Sequence, residues 1–309
     1  MITLNKYQLT ELLNPHDTIE VLRMAFQSSC EVPTRNVYET SATAGSGMLL
    51  MPAWDYHGYL GVKIVTTTPG NRDRDMPFIQ GVYLLFDQAT GTPLLQLDAA
   101  ILTNARTAAA SALASSYLSH DESHTLLMVG AGSLAPWLIA AHRATRPIGK
   151  VLIWSRGFRS AEELASRLPN AQSVKNLRTA VEQAQIISCA TPSTMPLIRG
   201  EWLKGGQHLD LVGGYTRDMR ETDDGAVEKA DIFVDTSDAW EEAGDLIQPM
   251  ENGRIAKKDT IAELSDLCTG KHPGRTSHEQ ITLFKSVGHA LEDIAVAAWV
   301  YETLPEPLP

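Results

Sequence analysis

Apolar and polar residues alternate along much of the N-terminal part of the chain, with the two-residue period of half-buried strands. One amphipathic segment precedes them, residues 17–29, where apolar positions recur at helical spacing and Asp17 is a candidate N-cap. The pattern predicts this helix and then a set of antiparallel strands. The predicted strands are 35–40, 47–54, 59–67, 81–87 and 93–98, with a turn at 89–92 before the last of them.

The pattern changes at Leu102, where an alanine-rich run predicts a long helix with Thr103 as its N-cap. Beyond His120, runs of strand length alternate with amphipathic helical segments, which predicts a doubly wound parallel sheet. The last segment, HALEDIAVAAWVYETL, is too apolar for a solvent-exposed helix, and we expect it to pack back on the N-terminal part. The expected strands after His120 are 125–130, 151–154, 185–190, 208–213, 231–236 and 281–286, and the expected helices are 135–145, 160–168 and 223–230.

A glycine-rich loop follows the first strand of this second region. Its residues are Gly130, Ala131, Gly132, Ser133, Leu134 and Ala135, and an apolar helix continues from them. The order of strand, GxGxxA loop and helix is typical of a Rossmann dinucleotide-binding fold, because glycines permit the tight turn and the free N–H groups at the helix start receive a pyrophosphate. The alternative is a glycine loop that merely ends a strand, but the alternating elements behind it favour a dinucleotide.

The end of the next strand indicates which dinucleotide binds. An acidic residue about twenty positions after the glycine loop would hold the ribose diol of NAD, but the segment VLIWSRGFRS contains no acid. Arg156, with Arg159 and Ser155, instead offers guanidinium and hydroxyl groups that suit a 2′-phosphate. We therefore expect NADPH, with NADH as the second choice. The alternative is that these are ordinary surface arginines.

Composition narrows the class of protein further. The formal net charge is −11, opposite to the basic footprint of nucleic-acid-binding proteins. No apolar run reaches the roughly 18 residues of a membrane span, and the N-terminal residues do not follow the pattern of a secretory signal. The 3 cysteines and 9 histidines have neither disulfide-framework nor zinc-ligand spacing. We expect a cytoplasmic protein without a metal ion and without a nucleic-acid or membrane partner.

Three cations of the N-terminal part are candidate ligands of a small anion. Arg106 falls in the first turn of the helix that Thr103 would cap, where a cation opposes the helix dipole unless an anion lies in front of it. Lys63 lies inside the apolar strand LGVKIV, so its ammonium needs a carboxylate partner or else points to water from the other face. Arg35 starts a strand, and its alternative is an ordinary surface position. Together these three cations suit a small substrate that carries a carboxylate.

Several runs of the sequence resemble the ornithine cyclodeaminase/μ-crystallin family. They are MPAWDYHGYLGVKIVTTTPGN, LLFDQATGTPLLQLDAAILTNARTAAASALA, VGAGSLA, WLKGGQHLDLVGGYTRDMRE and LFKSVGHALED. The resemblance implies an α/β fold in which a split α+β domain, 1–119 plus 289–309, binds substrate and forms a homodimer interface. It also implies that residues 120–288 form a Rossmann dinucleotide-binding domain.

The resemblance implies roles for individual residues. Arg35, Lys63 and Arg106 match positions that hold the substrate carboxylate, and we expect Lys63 and Arg106 to be catalytic, with either Lys63 or a bound water as the proton source. The matched cofactor contacts, added to the glycine loop and to the residues after the second strand, are Thr191, Val212, Lys285, Ser286, Val287 and Gly288.

One departure from the family pattern separates its members. Cyclodeaminases carry an aspartate in the segment after VGG, whereas this chain has Tyr215, and a phenol with a pKa of about 10 cannot replace a carboxylate base near neutral pH. The stretch GGYTRDMRE resembles Δ1-pyrroline-2-carboxylate reductases, in which Tyr215 would cover a cyclic substrate. We expect NAD(P)H-dependent reduction of a cyclic imino acid, to L-proline or also to L-pipecolate. The alternatives are an ornithine cyclodeaminase, an alanine dehydrogenase, a cis-3-hydroxy-L-proline dehydratase and a non-enzymatic, μ-crystallin-like NADPH-binding protein.

Overall fold

The computed structural model describes residues 1–40, 46–74 and 76–305, so the last residues of the predicted split domain, 306–309, lie outside the described part. The chain forms two compact units. The first comprises Met1–Arg106 with His289–Pro309, and the second comprises Thr107–Gly288. No helix among the described residues is both long enough and apolar enough to cross a bilayer.

The first unit is built on a six-stranded sheet with the order β1-β6-β5-β4-β3-β2. Neighbouring strands from β2 to β6 are antiparallel, as the alternation predicts, whereas β1 pairs in parallel with β6 and was not predicted. The strands are β1 (Ile2–Leu4), β2 (Asn36–Glu39), β3 (Gly47–Tyr56), β4 (Tyr59–Thr67), β5 (Ile79–Asp87) and β6 (Pro93–Asp98). The bounds of β4 and β6 are those predicted.

The N-terminal helices show how capping decides a helix start. The helices are α1 (Lys6–Leu12), which the pattern did not predict, and α2 (Pro15–Ala25). The prediction of Asp17 as N-cap was wrong, because Asn14 caps α2 and its side-chain oxygen accepts the backbone N–H of Asp17 at 2.9 Å. Pro15 takes the first helical position, where its missing N–H costs nothing.

A second capping prediction was wrong at the long helix α3 (Ala99–Leu118). Asp98 rather than Thr103 caps it, since the Asp98 carboxylate accepts the N–H groups of Ala100 at 2.9 Å and Ile101 at 3.0 Å. The helix therefore starts earlier than predicted, and Arg106 lies beyond its first turn. The predicted conflict between Arg106 and the helix dipole does not arise, because that effect is confined to the first turn.

The C-terminal helix α11 (Ala290–Thr303) packs against α2 and against β3, β4, β5 and β6 of the first unit, as its apolar composition predicts. Most of its residues are buried, and the buried set includes two acids, Glu292 and Asp293. Burial on all sides explains why the helix carries so few polar residues.

The second unit contains an eight-stranded sheet with the order β13-β12-β14-β11-β10-β7-β8-β9, in which all neighbours are parallel. The predicted doubly wound parallel sheet is confirmed. The chain runs outward from β7 to β9 and then returns to β10 on the other side of β7, so the topological switch point lies between β7 and β10. The strands are β7 (Thr125–Val129), β8 (Lys150–Trp154), β9 (Ala171–Ser173), β10 (Ile186–Cys189), β11 (His208–Leu211), β12 (Asp231–Val234), β13 (Thr260–Glu263) and β14 (Thr282–Lys285).

Helices connect the strands of this sheet, and the helix predicted at 135–145 has those bounds. The pattern did not predict β9, β13, α6 or the helices between β12 and β14, which are short segments without a clear period. The helices are α4 (Ala135–Thr145), α5 (Phe158–Ala165), α6 (Leu177–Gln183), α7 (Asp224–Lys229), α8 (Ala239–Glu242), α9 (Gly244–Glu251) and α10 (Leu264–Cys268).

Candidate active site

Four ionisable side chains meet in the interior of the first unit. Lys63 Nζ lies 2.7 Å from Asp293 Oδ2, Arg106 Nη1 lies 2.7 Å from Glu292 Oε2, and Arg106 Nε lies 3.2 Å from Asp293 Oδ1. Lys63 comes from β4, Arg106 from α3, and both acids come from the first turn of α11. We call these four residues the buried charge cluster. The expectation that an inward-pointing Lys63 has a carboxylate partner is confirmed.

Burial shifts the protonation equilibria of this cluster. The Lys63 and Asp293 side chains are 2% and 0% exposed. Loss of hydration lowers the pKa of Lys63 to about 8, and the nearby Arg106 guanidinium adds to this shift. Loss of hydration also raises the pKa of Glu292, against the opposing effect of Arg106. The cluster is therefore a site where charge is costly to hold, and perturbed groups of this kind are typical of functional sites.

Arg35 takes a different place from the other two predicted carboxylate ligands. It is half-buried and directly precedes β2, whose first residue Asn36 pairs with Leu50 of β3. The next residue of β3, Met51, pairs with Lys63. Arg35 thus stands near the edge of the sheet at the level of Lys63. The structure brings Lys63 and Arg106 onto one shared carboxylate, that of Asp293, whereas Arg35 lies two strands away from Lys63.

Sequence reasoning missed both acids of the cluster. Glu292 is 186 positions from Arg106 along the chain, so their pairing has no local signature. A weaker signal was present, because LED is an acidic pair in an otherwise apolar helix, and a buried acid needs a partner. Tyr83, fully buried on β5 opposite Lys63, was missed for the same reason.

In the second unit, the glycine loop has the geometry that a dinucleotide requires. Gly130 follows β7 with φ +117°, and a Cβ placed on it would lie 2.5 Å from the Ala190 carbonyl oxygen, so only glycine fits there. A Cβ on Gly132 would face open space, and no side chain caps the N-terminus of α4. Uncapped N–H groups at the start of a helix form an anion site, so the loop fits the pyrophosphate of a dinucleotide. Ala131, Ser133 and Leu134 complete this loop.

Three residues predicted to bind a 2′-phosphate follow β8, and they differ in whether their side chains already have partners. The Ser155 hydroxyl donates to the Gly157 carbonyl at 2.7 Å, and Arg159 pairs with Glu163 at 2.9 Å. Arg156 is exposed and forms no ion pair with any residue in the described part of the chain. Of the two arginines, Arg159 is thus already held by a carboxylate, whereas Arg156 forms no such pair with a described residue.

The remaining predicted cofactor contacts lie at the carboxyl ends of adjacent parallel strands. Thr191 follows β10, Val212 follows β11, and Lys285 ends β14. Lys285 is fully buried, and its Nζ lies 3.5 Å from Asp245 Oδ2. Ser286 is buried after β14, and the N–H groups of Val287 and Gly288 both donate to Asp235 at 2.7 Å. Tyr215 is half-buried in the loop after β11.

A buried carboxylate that the sequence did not single out lies beneath these strand ends. Glu221 accepts hydrogen bonds from the N–H and hydroxyl of Thr191 and from the N–H of Gly213. Burial raises the pKa of Glu221 to about 7, with Lys285 opposing and Asp245 reinforcing the shift. Glu221 ends the quoted run GGYTRDMRE, but nothing local distinguishes it from an exposed acid.

A glycine loop and an uncapped helix N-terminus at the switch point of a doubly wound parallel sheet define a dinucleotide-binding protein of the Rossmann class. Its first unit carries an acidic first turn of α11 and a buried pair of cations, Lys63 and Arg106, that the class alone does not require. The chain belongs to the ornithine cyclodeaminase/mu-crystallin family, whose sequence profile matches residues 3–307.

Comparison with known proteins adds three relatives. The Δ1-pyrroline-2-carboxylate reductase of Colwellia psychrerythraea is 34% identical, and the match covers 96% of this chain and 97% of the relative. The structure of Thermococcus litoralis Δ1-pyrroline-2-carboxylate reductase in complex with NADH and L-proline is 33% identical, covers 98% and 97% of the two chains, and has a TM-score of 0.93. An archaeal alanine dehydrogenase dimer with bound NAD is 28% identical, covers 98% and 95%, and has a TM-score of 0.91.

Proposed function

We propose that this protein is an NAD(P)H-dependent reductase of cyclic imino acids that converts Δ1-pyrroline-2-carboxylate to L-proline, and Δ1-piperideine-2-carboxylate to L-pipecolate. The observation that carries the proposal is the buried cation pair of Lys63 and Arg106, which suits one small carboxylate. The nearly full-length likeness to a reductase that binds NADH and L-proline supports the same reading.

The chemistry asks little of the protein beyond positioning. A bound reduced nicotinamide would supply the hydride for the C=N carbon, and the electron pair of that bond would go to the protonated nitrogen, which gives the cyclic amine. Lys63 and Arg106 hold the substrate carboxylate and so fix which carbon is presented. Lys63 is also the candidate donor of the imine proton, because burial lowers its pKa to about 8, near the pH at which it would work.

Tyr215 favours reduction over deamination. A cyclodeaminase needs a base in this segment, whereas the phenol of Tyr215 is a poor base near neutral pH. We assign to Tyr215, which is half-buried, the role of an apolar cover for a ring-shaped substrate.

For the cofactor we propose NADPH in preference to NADH. The glycine loop with Gly130 and Gly132 holds the pyrophosphate, and Arg156 holds the 2′-phosphate. Thr191, Val212 and the segment from Lys285 to Gly288 line the remainder of the site. Arg156→Ala should weaken NADPH binding far more than NADH binding, and Arg159→Ala, which removes a guanidinium already paired with Glu163, is the matched control. An unchanged preference in Arg156→Ala would remove the 2′-phosphate argument.

A single assay panel tests the activity. NADPH absorbance is followed with freshly generated Δ1-pyrroline-2-carboxylate, its piperideine analogue, pyruvate plus ammonia, and L-ornithine as separate substrates. We expect turnover with the cyclic imines. Arg106→Lys keeps the positive charge of the buried ion pairs but loses the planar guanidinium, so it should raise the KM for the imine and leave NADPH binding unchanged. Ammonia release from ornithine, or tight NADPH binding without turnover of any imine, would overturn the proposal.

We also propose that the protein works as a homodimer in the cytoplasm. The face of the first-unit sheet opposite α11 is apolar and only half-buried, and a second copy is the partner that such a face fits. Cys30, Cys189 and Cys268, all in the described part of the chain, form no disulfide, which suits a reducing compartment. The residues of this face are Leu50, Pro52, Val62, Ile64, Val82 and Leu84. Ile64→Asp should give a monomer in sedimentation velocity, and a wild-type monomer would refute the proposal.

A further inference from the structure

Two loops at the carboxyl edge of the second-unit sheet converge on one buried carboxylate. Glu221 Oε1 accepts the Thr191 N–H at 2.7 Å and the Thr191 hydroxyl at 2.8 Å, and Glu221 Oε2 accepts the Gly213 N–H at 2.8 Å. Thr191 belongs to the loop after β10, and Gly213 belongs to the loop after β11. The Glu221 side chain is fully buried, so water does not compete for these hydrogen bonds.

The two loops pass in close contact at Gly213. A Cβ on Gly213 would lie 2.2 Å from the Thr191 carbonyl oxygen and 2.6 Å from Glu221 Oε1, so no side chain fits between them. Glu221 is itself held from below, because Asp245 accepts its N–H at 2.9 Å. Asp245 in turn lies 3.5 Å from the Lys285 ammonium. The two loops are therefore fixed through one carboxylate to the centre of the sheet.

The Thr191 loop borders the crevice where a dinucleotide binds. In doubly wound sheets the ligand lies at the switch point, here between β7 and β10, with the adenosine half towards the end of the second strand. The nicotinamide half then extends over the ends of β10 and β11. Ala190, directly before Thr191, has its carbonyl oxygen only 2.5 Å from the Cβ position of Gly130.

We propose that Glu221 is a positioning residue for the nicotinamide half of the cofactor, which acts by tying the Thr191 and Gly213 loops at a fixed spacing. This inference rests on the proposed function only in placing a dinucleotide in this crevice. A carboxylate is suited to the task, since it accepts on both oxygens and the three loop groups that hydrogen-bond to it all donate. A glutamine at this position would turn an N–H donor towards one of the loops.

The ionisation of Glu221 gives the proposal a second readout. The titratable groups that face it are Asp245 on α9, Lys285 on β14 and Cys189 on β10. Burial raises the pKa of Glu221 to about 7. Below that pH Glu221 loses its negative charge, so the N–H groups of Thr191 and Gly213 no longer donate to a charged acceptor, which weakens the tie. Cofactor binding should therefore weaken as the pH falls through about 7.

The test compares Glu221→Gln with Asp210→Asn. Asp210 is an equally buried carboxylate on β11, but its partners are the side chains of Ser188 on β10 and His142 on α4, which belong to neither of the two loops. The dissociation constant of NADPH is measured by its fluorescence at pH 8. We expect a rise of about tenfold in Glu221→Gln, as for the loss of one charge-assisted hydrogen bond, and less than about twofold in Asp210→Asn.

The pH arm uses NADH, which lacks a 2′-phosphate that would itself titrate. The wild-type dissociation constant should rise about fivefold or more from pH 8 to pH 6, and that rise should be absent in Glu221→Gln. A wild-type dissociation constant that does not change with pH, or an equal loss of affinity in Glu221→Gln and Asp210→Asn, overturns the inference. The wild-type measurement decides the question even if Glu221→Gln fails to fold. Because binding is read without substrate, absence of imine turnover would defeat the proposed function alone, whereas turnover with unchanged binding in Glu221→Gln would defeat this inference alone.

Discussion

Removing one charge from the buried charge cluster should destabilise the first unit strongly. Asp293→Asn keeps the shape of the side chain but leaves the Lys63 ammonium, 2.7 Å away and 2% exposed, without its counter-ion. It also weakens the contact of Arg106 Nε at 3.2 Å. Breaking a buried ion pair by removal of one partner costs about 3–5 kcal/mol, so we expect a loss of this size in the free energy of unfolding.

The assay is urea unfolding at pH 7 followed by circular dichroism. With a denaturant dependence of about 3 kcal/mol per M, the expected loss moves the midpoint by about 1 M or more. Glu163→Gln is the control, because it removes the same kind of charge from the Arg159 pair, whose side chains are 90% and 52% exposed. An exposed pair of this kind contributes little, and we expect no measurable change in midpoint.

The double variant Lys63→Met with Asp293→Asn decides whether unpaired charge is the cause. It removes both charges of the pair, so most of the lost stability should return. Imine binding should nevertheless be weak, because the substrate carboxylate then has one cation fewer to bind. If Asp293→Asn moves the midpoint no further than Glu163→Gln, or if the double variant is as unstable as the single one, the reasoning is refuted.

Three further predictions concern single positions. Burial lowers the pKa of Lys63 to about 8, so Lys63 loses its charge above that pH. The affinity for the inhibitor pyrrole-2-carboxylate, whose ring nitrogen is not basic, should therefore fall between pH 7.5 and pH 9. An inhibition constant that does not change over this range would contradict the prediction. Gly130→Ala should lower the thermal midpoint, because φ is +117° and the new Cβ would lie 2.5 Å from the Ala190 oxygen, whereas Gly132→Ala faces open space and should leave the midpoint unchanged. Asn14→Ala removes the cap of α2 and should cost about 1 kcal/mol in urea unfolding, and a neutral result would show that Asn14 does not fix the start of α2.

The sequence predicts most strands of both sheets, though not the short strands β1, β9 and β13, because the signals of longer strands are local. Alternation and short apolar runs locate the strands, and the bounds of β4 and β6 were predicted correctly. Helix starts were predicted less well, since several residues near each start are chemically able to cap. Asp17 and Asn14 compete at α2, and Pro15 at the first helical position decides for Asn14. At α3, Asp98 sits at the end of a strand, where the strand pattern concealed its role as a cap.

The residues of the candidate site also differ in whether their signals are local in the sequence. The glycine loop is contiguous in sequence, and its helix has the predicted bounds. For Lys63, burial physics predicts the kind of partner but not its identity, because Asp293 reaches it only after the chain has passed through the whole second unit. Glu221 escapes prediction for a related reason, since its function depends on two loops that only the strand order brings together.

The proposed role in carboxylate binding gives the buried charge cluster an explanation that stability alone does not give. Apolar side chains of similar size in place of a buried ion pair often leave a protein equally or more stable, because desolvation cancels most of the Coulomb attraction. An apolar α11 would therefore cover the first-unit sheet at least as well without Glu292 and Asp293. Lys63 on β4 and Arg106 on α3, with their charges balanced by Asp293 and Glu292, are the two cations to which we assign the substrate carboxylate under the proposed function. Glu292 and Asp293 neutralise Lys63 and Arg106 inside the first unit, and the same ion pairs fix the positions of the two cations. The burial of the cations and their geometry therefore both depend on these two acids.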